Sequence, residues 1–350
     1  MTKLFSAYEG GIATVDLQKA LELCGLVTLW YGSAVLCILS SKSAMLMCPA
    51  PFLLCTTQFI TASVFCVIFY HFSNPGKAGV IAELMSSRKS ANKTEFQMVV
   101  LISFCYTLGF ILTNMAFSLA NANSVETIKA AEPISSVILG QIFCPEYASW
   151  FTYASLLPIW FGVSMACYGD SAFPLWGVVF AMASNIGFSG RAVATKKLCT
   201  LKEKPDETML FGQISIIGIA LLVPPVMLID ISVVTNNRWY SKGAVSEAQS
   251  NFVPFLGVLL FNGLAYTVYN LASFLVLTRT NLVTHAVLNA CRRVVIILFS
   301  AWFFSVSISA VNIWGIVIAV VGVLWFALSK SPGFKLGAAS SVSVLPTVAS

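Results

Sequence analysis

The amino-acid sequence predicts an all-α integral membrane protein with ten transmembrane helices, arranged as two inverted repeats of five helices. Three observations lead to this prediction: the composition, the spacing of the charged residues and a weak internal repeat. Of the 350 residues, 58% are hydrophobic and only 10% are charged, and the mean hydropathy is +0.85. These values exclude a soluble globular protein, because a surface that faces water needs many more polar side chains.

The charged residues cluster in short segments, and the stretches between them are about 20 residues long, the length that a helix needs to cross a bilayer. The predicted spans cover residues 23–39, 52–70, 98–119, 124–143, 149–168, 173–194, 209–229, 252–277, 282–305 and 311–328. The first five spans form one predicted repeat, 23–168, and the last five form the other, 173–328. A cytosolic segment, 1–22, is predicted before them, and a disordered tail, 329–350, after them.

The internal repeat is visible in spans three and eight. Residues 113–116 read TNMA and residues 269–272 read YNLA, and after a slippage of two residues NSV at 123–125 matches NLV at 281–283. Five spans separate the two copies, which is an odd number, so the two halves are expected to be antiparallel.

The basic residues outside the spans predict that both termini are cytosolic, because Lys and Arg in short loops are retained on that face of the membrane. Only Lys42, Arg238 and Lys242 are predicted to lie on the opposite side. The thirteen on the side of the termini are Lys3, Lys19, Lys77, Arg88, Lys89, Lys93, Lys196, Lys197, Lys202, Lys204, Arg279, Lys330 and Lys335. The first twenty residues have no basic region followed by an apolar run, so neither a signal peptide nor a transit peptide is predicted within them.

The remaining four basic residues lie inside predicted spans, where each costs about 2.5–3.5 kcal/mol at mid-bilayer. They are Lys129, Arg191, Arg292 and Arg293. The only acidic residues well inside a predicted span are Glu126 and Glu132. With four basic residues against two acidic ones, the interior has a formal excess of about two positive charges. Two interpretations follow: internal salt bridges, or a polar cavity that receives an anion. A phosphate dianion would neutralise the excess, and guanidinium groups suit phosphate oxygens.

Aromatic residues accompany these cations. Phe188 and Arg191 lie one helical turn apart and face the same way, as do Tyr266 and Tyr269. Such rings are able to hold a short carbon backbone next to a phosphate, although ordinary helix packing and an interfacial aromatic belt are alternatives.

Several motifs follow one another over nearly the whole chain: Lys129-Ala130-Ala131-Glu132-Pro133, Phe188-x-x-Arg191 with Lys196-Lys197, Tyr269-Asn270, Thr284-His285 and Asn289-x-x-Arg292-Arg293. Together they resemble the triose-phosphate/phosphate translocators of the drug/metabolite transporter superfamily. The resemblance implies a ten-helix fold of two inverted repeats that exchanges a phosphorylated metabolite for inorganic phosphate. It also implies phosphate binding by Thr113, Lys129, Arg292 and Arg293, and binding of the rest of the substrate by Phe188, Arg191 and Tyr269.

The chain departs from that family at three points. Plastid members commonly have a His one turn before the lysine of span four and often another three residues before the threonine, whereas this chain has Glu126 and Phe110. The usual Lys-Arg pair is Arg292-Arg293. These changes are expected to alter the end group that the site accepts, so the resemblance leaves triose phosphate itself uncertain as the substrate.

The predicted function is therefore a membrane antiporter that exchanges a phosphorylated C3, C5 or C6 metabolite for inorganic phosphate by alternating access. The metabolite is a triose phosphate, phosphoglycerate, phosphoenolpyruvate or sugar phosphate, and a nucleotide-sugar transporter of the ER or Golgi is the alternative. A membrane enzyme or a receptor is the rival from another class, but no nucleophile with its base lies in a span. A plastid-type envelope is favoured over the ER or Golgi membrane.

The expected partners are phosphorylated metabolites, inorganic phosphate and the lipid bilayer. No catalytic residue, metal, cofactor or nucleic acid is expected, and the ten cysteines form no CxxC pair and have no His at ligand spacing. Both a monomer and a homodimer are compatible with the sequence.

Overall fold

The computed structural model of the chain describes residues 2–73, 79–82, 93–143, 150–168, 174–201, 206–236, 245–280 and 282–329. Several features named above lie outside the described residues: the tail from residue 330, the side chains of Thr284 and His285, and the loop residues Lys77, Arg88, Lys89, Arg238 and Lys242.

The described part of the chain is built of helices. In chain order they are α1 (Thr2–Met47), α2 (Pro51–Ser73), α3 (Lys93–Leu119), α4 (Ala122–Lys129), α5 (Glu132–Phe143), α6 (Trp150–Ala154), α7 (Leu156–Tyr168), α8 (Leu175–Leu201), α9 (Glu207–Pro225), a π-helix (Val226–Asp230), α10 (Ile231–Asn236), α11 (Val245–Arg279), α12 (Leu282–Phe303) and α13 (Ala310–Ser329). The π-helix follows Pro224 and Pro225, where the absence of two backbone N–H donors interrupts the regular hydrogen bonding of the helix.

Among the described residues, seven helical stretches are long and apolar enough to cross a membrane. They are Leu21–Met47, Pro51–Ser73, Thr94–Leu119, Trp150–Cys167, Thr208–Asn236, Phe252–Ser273 and Ala310–Ser329. An all-α membrane protein is thereby confirmed. The three predicted spans that are not among these seven, 124–143, 173–194 and 282–305, are the ones that carry the four intramembrane cations.

The predicted span 124–143 is interrupted near its middle. This stretch consists of α4, which ends at Lys129, and α5, which begins at Glu132. Pro133 lies in the first turn of α5, where its missing N–H is harmless; in a continuous helix its ring would clash with the carbonyl of Lys129. The break therefore places Lys129 at a helix end, next to Glu132.

The assignment of Lys42 to a loop was wrong. Helix α1 continues to Met47, and Lys42 lies within it with only 6% of its surface exposed. Its Nζ donates hydrogen bonds to the carbonyls of Phe117 and Ala120, both at 2.8 Å. The last carbonyls of a helix have no partner within the helix and favour a nearby cation, so Lys42 stabilises the end of α3.

The helices that carry the predicted site residues pack closely on each other. Helix α3 lies along α8, and α1 lies along α11. The contact between α3 and α8 depends on glycine: a Cβ atom on Gly187 would lie 2.9 Å from the Cα of Gly109. This close approach brings Phe188 of α8 against Phe110 of α3, and Arg191 of α8 over the ring of Tyr106 of α3.

Candidate functional site

A cavity of about 190 Å³ lies between the helices and is lined by side chains from both halves of the chain. Two other cavities among the described residues are much smaller, at about 10 Å³ each. All seven residues predicted to bind the substrate line the large cavity: Thr113, Lys129, Phe188, Arg191, Tyr269, Arg292 and Arg293. Glu126 and Glu132, the two acids counted within the spans, line it as well.

Two of the four cations are paired with these acids. A carboxylate oxygen of Glu126 lies 3.6 Å from Lys129 Nζ, and the other lies 3.5 Å from Arg293 Nη1. Arg293 Nη2 also donates to Glu132 Oε2 at 2.7 Å. Lys129, Arg293, Glu126 and Glu132 thus form one network across α4, α5 and α12, and the salt-bridge interpretation holds for this half of the cations.

Arg292 is held differently. Its Nε and Nη2 atoms donate to Asn289 Oδ1 at 3.1 and 2.9 Å. Its guanidinium carbon lies 5.1 Å from the centre of the Tyr269 ring and 5.5 Å from that of Trp30. Only 6% of the residue is exposed. In the described part of the chain, no carboxylate is paired with this charge, which is held by an amide oxygen and the faces of two aromatic rings.

Arg191 is likewise without a carboxylate partner among the described residues. Its guanidinium carbon lies 5.1 Å from the centre of the Tyr106 ring. Lys129 Nζ lies 5.0 Å from the centre of the Phe188 ring. The cavity therefore contains four cationic side chains and two carboxylates, so two formal positive charges remain in excess, as the sequence predicted.

Thr113 lies in the cavity wall with its hydroxyl group already in use. Its Oγ1 donates to the carbonyl of Gly109 at 2.8 Å, and only 4% of the residue is exposed. The oxygen still has lone pairs directed elsewhere, but donation to a phosphate requires the hydroxyl to leave this carbonyl.

Two residues around the cavity were not singled out from the sequence. Tyr106 lies beneath Arg191, and Trp30 lies beside Arg292. For Tyr106 a signal existed, because it precedes Thr113 by two helical turns and therefore shares its face of α3. Trp30 is 1% exposed and belongs to α1. Because it lies far from Arg292 along the chain, no local sequence pattern indicated their contact.

A sequence model of the Triose-phosphate Transporter family matches residues 21–327. The chain belongs to the triose-phosphate transporter family. As a member of this family it is a transporter and not an enzyme.

Three relatives of this family member are plant proteins. Phosphoenolpyruvate/phosphate translocator 2, chloroplastic, of Arabidopsis thaliana is 31% identical over 323 residues, which are 92% of this chain and 81% of the relative. Phosphoenolpyruvate/phosphate translocator 1, chloroplastic, of Oryza sativa subsp. japonica is 30% identical over an alignment that covers 93% of this chain and 74% of the relative. The triose phosphate/phosphate translocator of non-green plastids of Brassica oleracea var. botrytis is 27% identical over an alignment that covers 92% of this chain and 76% of the relative.

Proposed function

We propose that this transporter exchanges a phosphorylated C3, C5 or C6 metabolite for inorganic phosphate across a membrane by alternating access. The observation that supports the proposal is the excess of two positive charges in one cavity that contains every residue predicted to bind the substrate. A phosphate group with two negative charges balances this excess. The relatives, which are named phosphoenolpyruvate/phosphate and triose phosphate/phosphate translocators, point to the same class of substrate.

In this proposal the phosphate group lies between Lys129, Arg292 and Arg293, with Thr113 as a further donor. Guanidinium groups supply two parallel N–H donors, and the ammonium group supplies a point charge. The phosphate competes with Glu126 for Lys129 and Arg293, because both cations lie within 3.6 Å of that carboxylate. Arg292 has no such competitor among the described residues, so it offers its full charge to the incoming anion.

The rest of the substrate lies against Phe188, Arg191 and Tyr269. Arg191 provides a second cation without a carboxylate partner in the described structure, which suits a carboxylate or carbonyl at the far end of the substrate. A small phosphorylated metabolite is favoured over a nucleotide sugar, because the relatives are named as translocators of phosphoenolpyruvate and of triose phosphate.

The excess charge also supports the proposal that exchange is obligatory. An empty carrier that closes around Arg191 and Arg292 removes water from two cations that have no carboxylate partner in the described structure, and this costs several kcal/mol. A bound phosphate ester or phosphate ion offsets that cost. The carrier therefore changes its orientation readily only when it is loaded.

We further propose that the architecture has ten transmembrane helices in two inverted repeats, 23–168 and 173–328, with α4 and α5 together as the fourth span. The helix packing supports this proposal, because several helix pairs recur when the halves are exchanged. Helix α1 packs on α11 as α8 packs on α3, and α2 packs on α11 as α9 packs on α3. Helices α2 and α9, α4 and α12, and α7 and α13 pack in pairs.

The membrane that we propose is a plastid-type envelope, since the relatives named above are chloroplastic. Both termini are proposed to be cytosolic. The distribution of basic residues supports this orientation, because thirteen are predicted on the side of the termini and, with Lys42 inside α1, only Arg238 and Lys242 are predicted on the other.

The test is transport by the purified chain in proteoliposomes. Vesicles loaded with phosphate are expected to take up labelled phosphate, and vesicles loaded with chloride are not. Unlabelled phosphoenolpyruvate or 3-phosphoglycerate is expected to compete. Equal uptake into both kinds of vesicle would contradict exchange, and competition by a nucleoside monophosphate in place of phosphate would favour a nucleotide-sugar carrier.

A further inference from the structure

The two arginines without carboxylate partners in the described structure are each placed by a tyrosine ring. The guanidinium carbons of Arg191 and Arg292 both lie 5.1 Å from a ring centre, that of Tyr106 for the first and that of Tyr269 for the second. The groups that hold these two rings therefore determine where the excess positive charge lies in the cavity.

The ring of Tyr106 is fixed by other aromatic rings. It is stacked on Phe59 with the ring centres 5.8 Å apart and the planes inclined by 19°. The edges of Phe110 and Phe188 meet it at centre distances of 4.8 and 6.2 Å. Only 2% of Tyr106 is exposed, so the ring has no free space in which to turn.

The hydroxyl group of Tyr106 joins it to α11 by hydrogen bonds whose directions are determined. Asn270 Nδ2 donates to the carbonyl of Tyr266 at 2.8 Å, which leaves Asn270 Oδ1 as the acceptor. The Tyr106 hydroxyl donates to this oxygen at 3.2 Å. Because that hydroxyl has a single proton, its oxygen accepts the hydrogen bond from the Tyr266 hydroxyl at 2.8 Å.

One turn of α11 thus controls both arginines. Tyr266 and Asn270 hold the ring beneath Arg191, and Tyr269, which lies between them in the sequence, meets Arg292. The hydrogen bonds of Tyr106 consequently set the position of one excess cation relative to the other.

Building on the proposed function, we propose that Tyr106 is a positioning residue that selects the organic part of the substrate. It fixes the position in the cavity of the Arg191 guanidinium, which contacts the organic part of the substrate in the proposed function. Inorganic phosphate has no organic part and needs only the cations at the other end of the cavity. Tyr106 therefore affects the binding of a phosphate ester much more than the binding of phosphate.

The test uses Tyr106→Phe, which keeps the ring but removes the hydroxyl, and Tyr106→Leu, which removes the ring. In proteoliposomes, KM is measured for phosphate/phosphate exchange and for phosphoenolpyruvate/phosphate exchange. Tyr106→Phe is expected to raise the KM for phosphoenolpyruvate about fivefold, because both buried hydrogen bonds of the hydroxyl are lost. Tyr106→Leu is expected to raise it about tenfold or more, because the cation–π contact with Arg191 is lost as well. The KM for phosphate is expected to change less than about twofold, because no phosphate ligand is touched.

A double-mutant cycle separates positioning from a general structural role. If Tyr106 acts through Arg191, then Tyr106→Phe is expected to have no further effect on the KM for phosphoenolpyruvate in an Arg191→Gln background. The control is Tyr153→Phe, which removes the same hydroxyl from a residue outside the cavity wall and is expected to leave both KM values unchanged.

Equal rises in both KM values, or an undiminished effect in the Arg191→Gln background, would overturn the positioning role. If Tyr106→Leu does not fold, the KM values of Tyr106→Phe and its double-mutant cycle with Arg191→Gln test the proposal on their own. The proposed function fails separately, because in that case the unmodified chain shows no exchange of phosphate at all.

Discussion

Replacing Arg292 by Gln tests the excess charge most directly. The side chain is hydrogen-bonded to Asn289 and lies on two aromatic rings, and no described carboxylate depends on it. Its loss therefore leaves no buried negative charge uncompensated. Asn289 Oδ1 loses two donors, but it lines the cavity, where water replaces them at a cost of at most about 1 kcal/mol.

The effect on binding is expected to be much larger than the effect on stability. A hydrogen bond to a charged group contributes about 1.5–3 kcal/mol, so the loss of the guanidinium is expected to raise the KM for phosphate about 10- to 150-fold. Because the excess charge falls from two to one, a loaded carrier with a phosphate dianion is no longer neutral. The maximal exchange rate is expected to fall as well.

The assay is phosphate/phosphate exchange in proteoliposomes, combined with thermal unfolding of the purified protein in detergent. The matched control is Arg279→Gln, since this arginine is about half exposed and pairs with Glu22 at 3.4 Å outside the cavity wall. The control is expected to retain exchange. An Arg292→Gln variant with an unchanged melting temperature and unchanged kinetics would refute the excess-charge reasoning.

Three further substitutions separate stability from transport. Arg293→Gln removes the cation that pairs with both Glu126 and Glu132, so about 3–5 kcal/mol of stability is expected to be lost. In thermal unfolding in detergent, this variant is expected to melt at a lower temperature than Arg292→Gln. Lys42→Met removes the donor to two buried carbonyls at the C-terminal end of α3, those of Phe117 and Ala120, and is expected to cost about 2–3 kcal/mol; an unchanged melting temperature would contradict the hydrogen bonds described. Gly187→Ala forces α3 and α8 apart and is expected to cost about 1–3 kcal/mol and to reduce exchange, whereas Gly257→Ala, with no atom within 4 Å of the added Cβ, should be neutral in the same assays.

The membrane class and the four intramembrane cations could be predicted from the sequence because both depend on composition and local spacing, whereas Thr113 was named only through the family resemblance. A run of about 20 apolar residues has few alternatives to a membrane helix. A cation within such a run is costly wherever it lies, so the sequence already marked Lys129, Arg191, Arg292 and Arg293 as residues with a special environment. Their charges, and those of Glu126 and Glu132, could be summed without coordinates.

Only the tertiary structure decided which charges are paired and which remain in excess. Arg293 and Glu132 lie 161 positions apart in the chain but 2.7 Å apart in space, whereas the neighbouring Arg292 points to Asn289 and two rings. Adjacent residues on a helix differ by about 100° in direction, so the sequence could not show which arginine faces the acids. Lys42 was misplaced for a related reason, because its partners are the carbonyls at the end of another helix, and backbone acceptors leave no trace in a pattern of side chains.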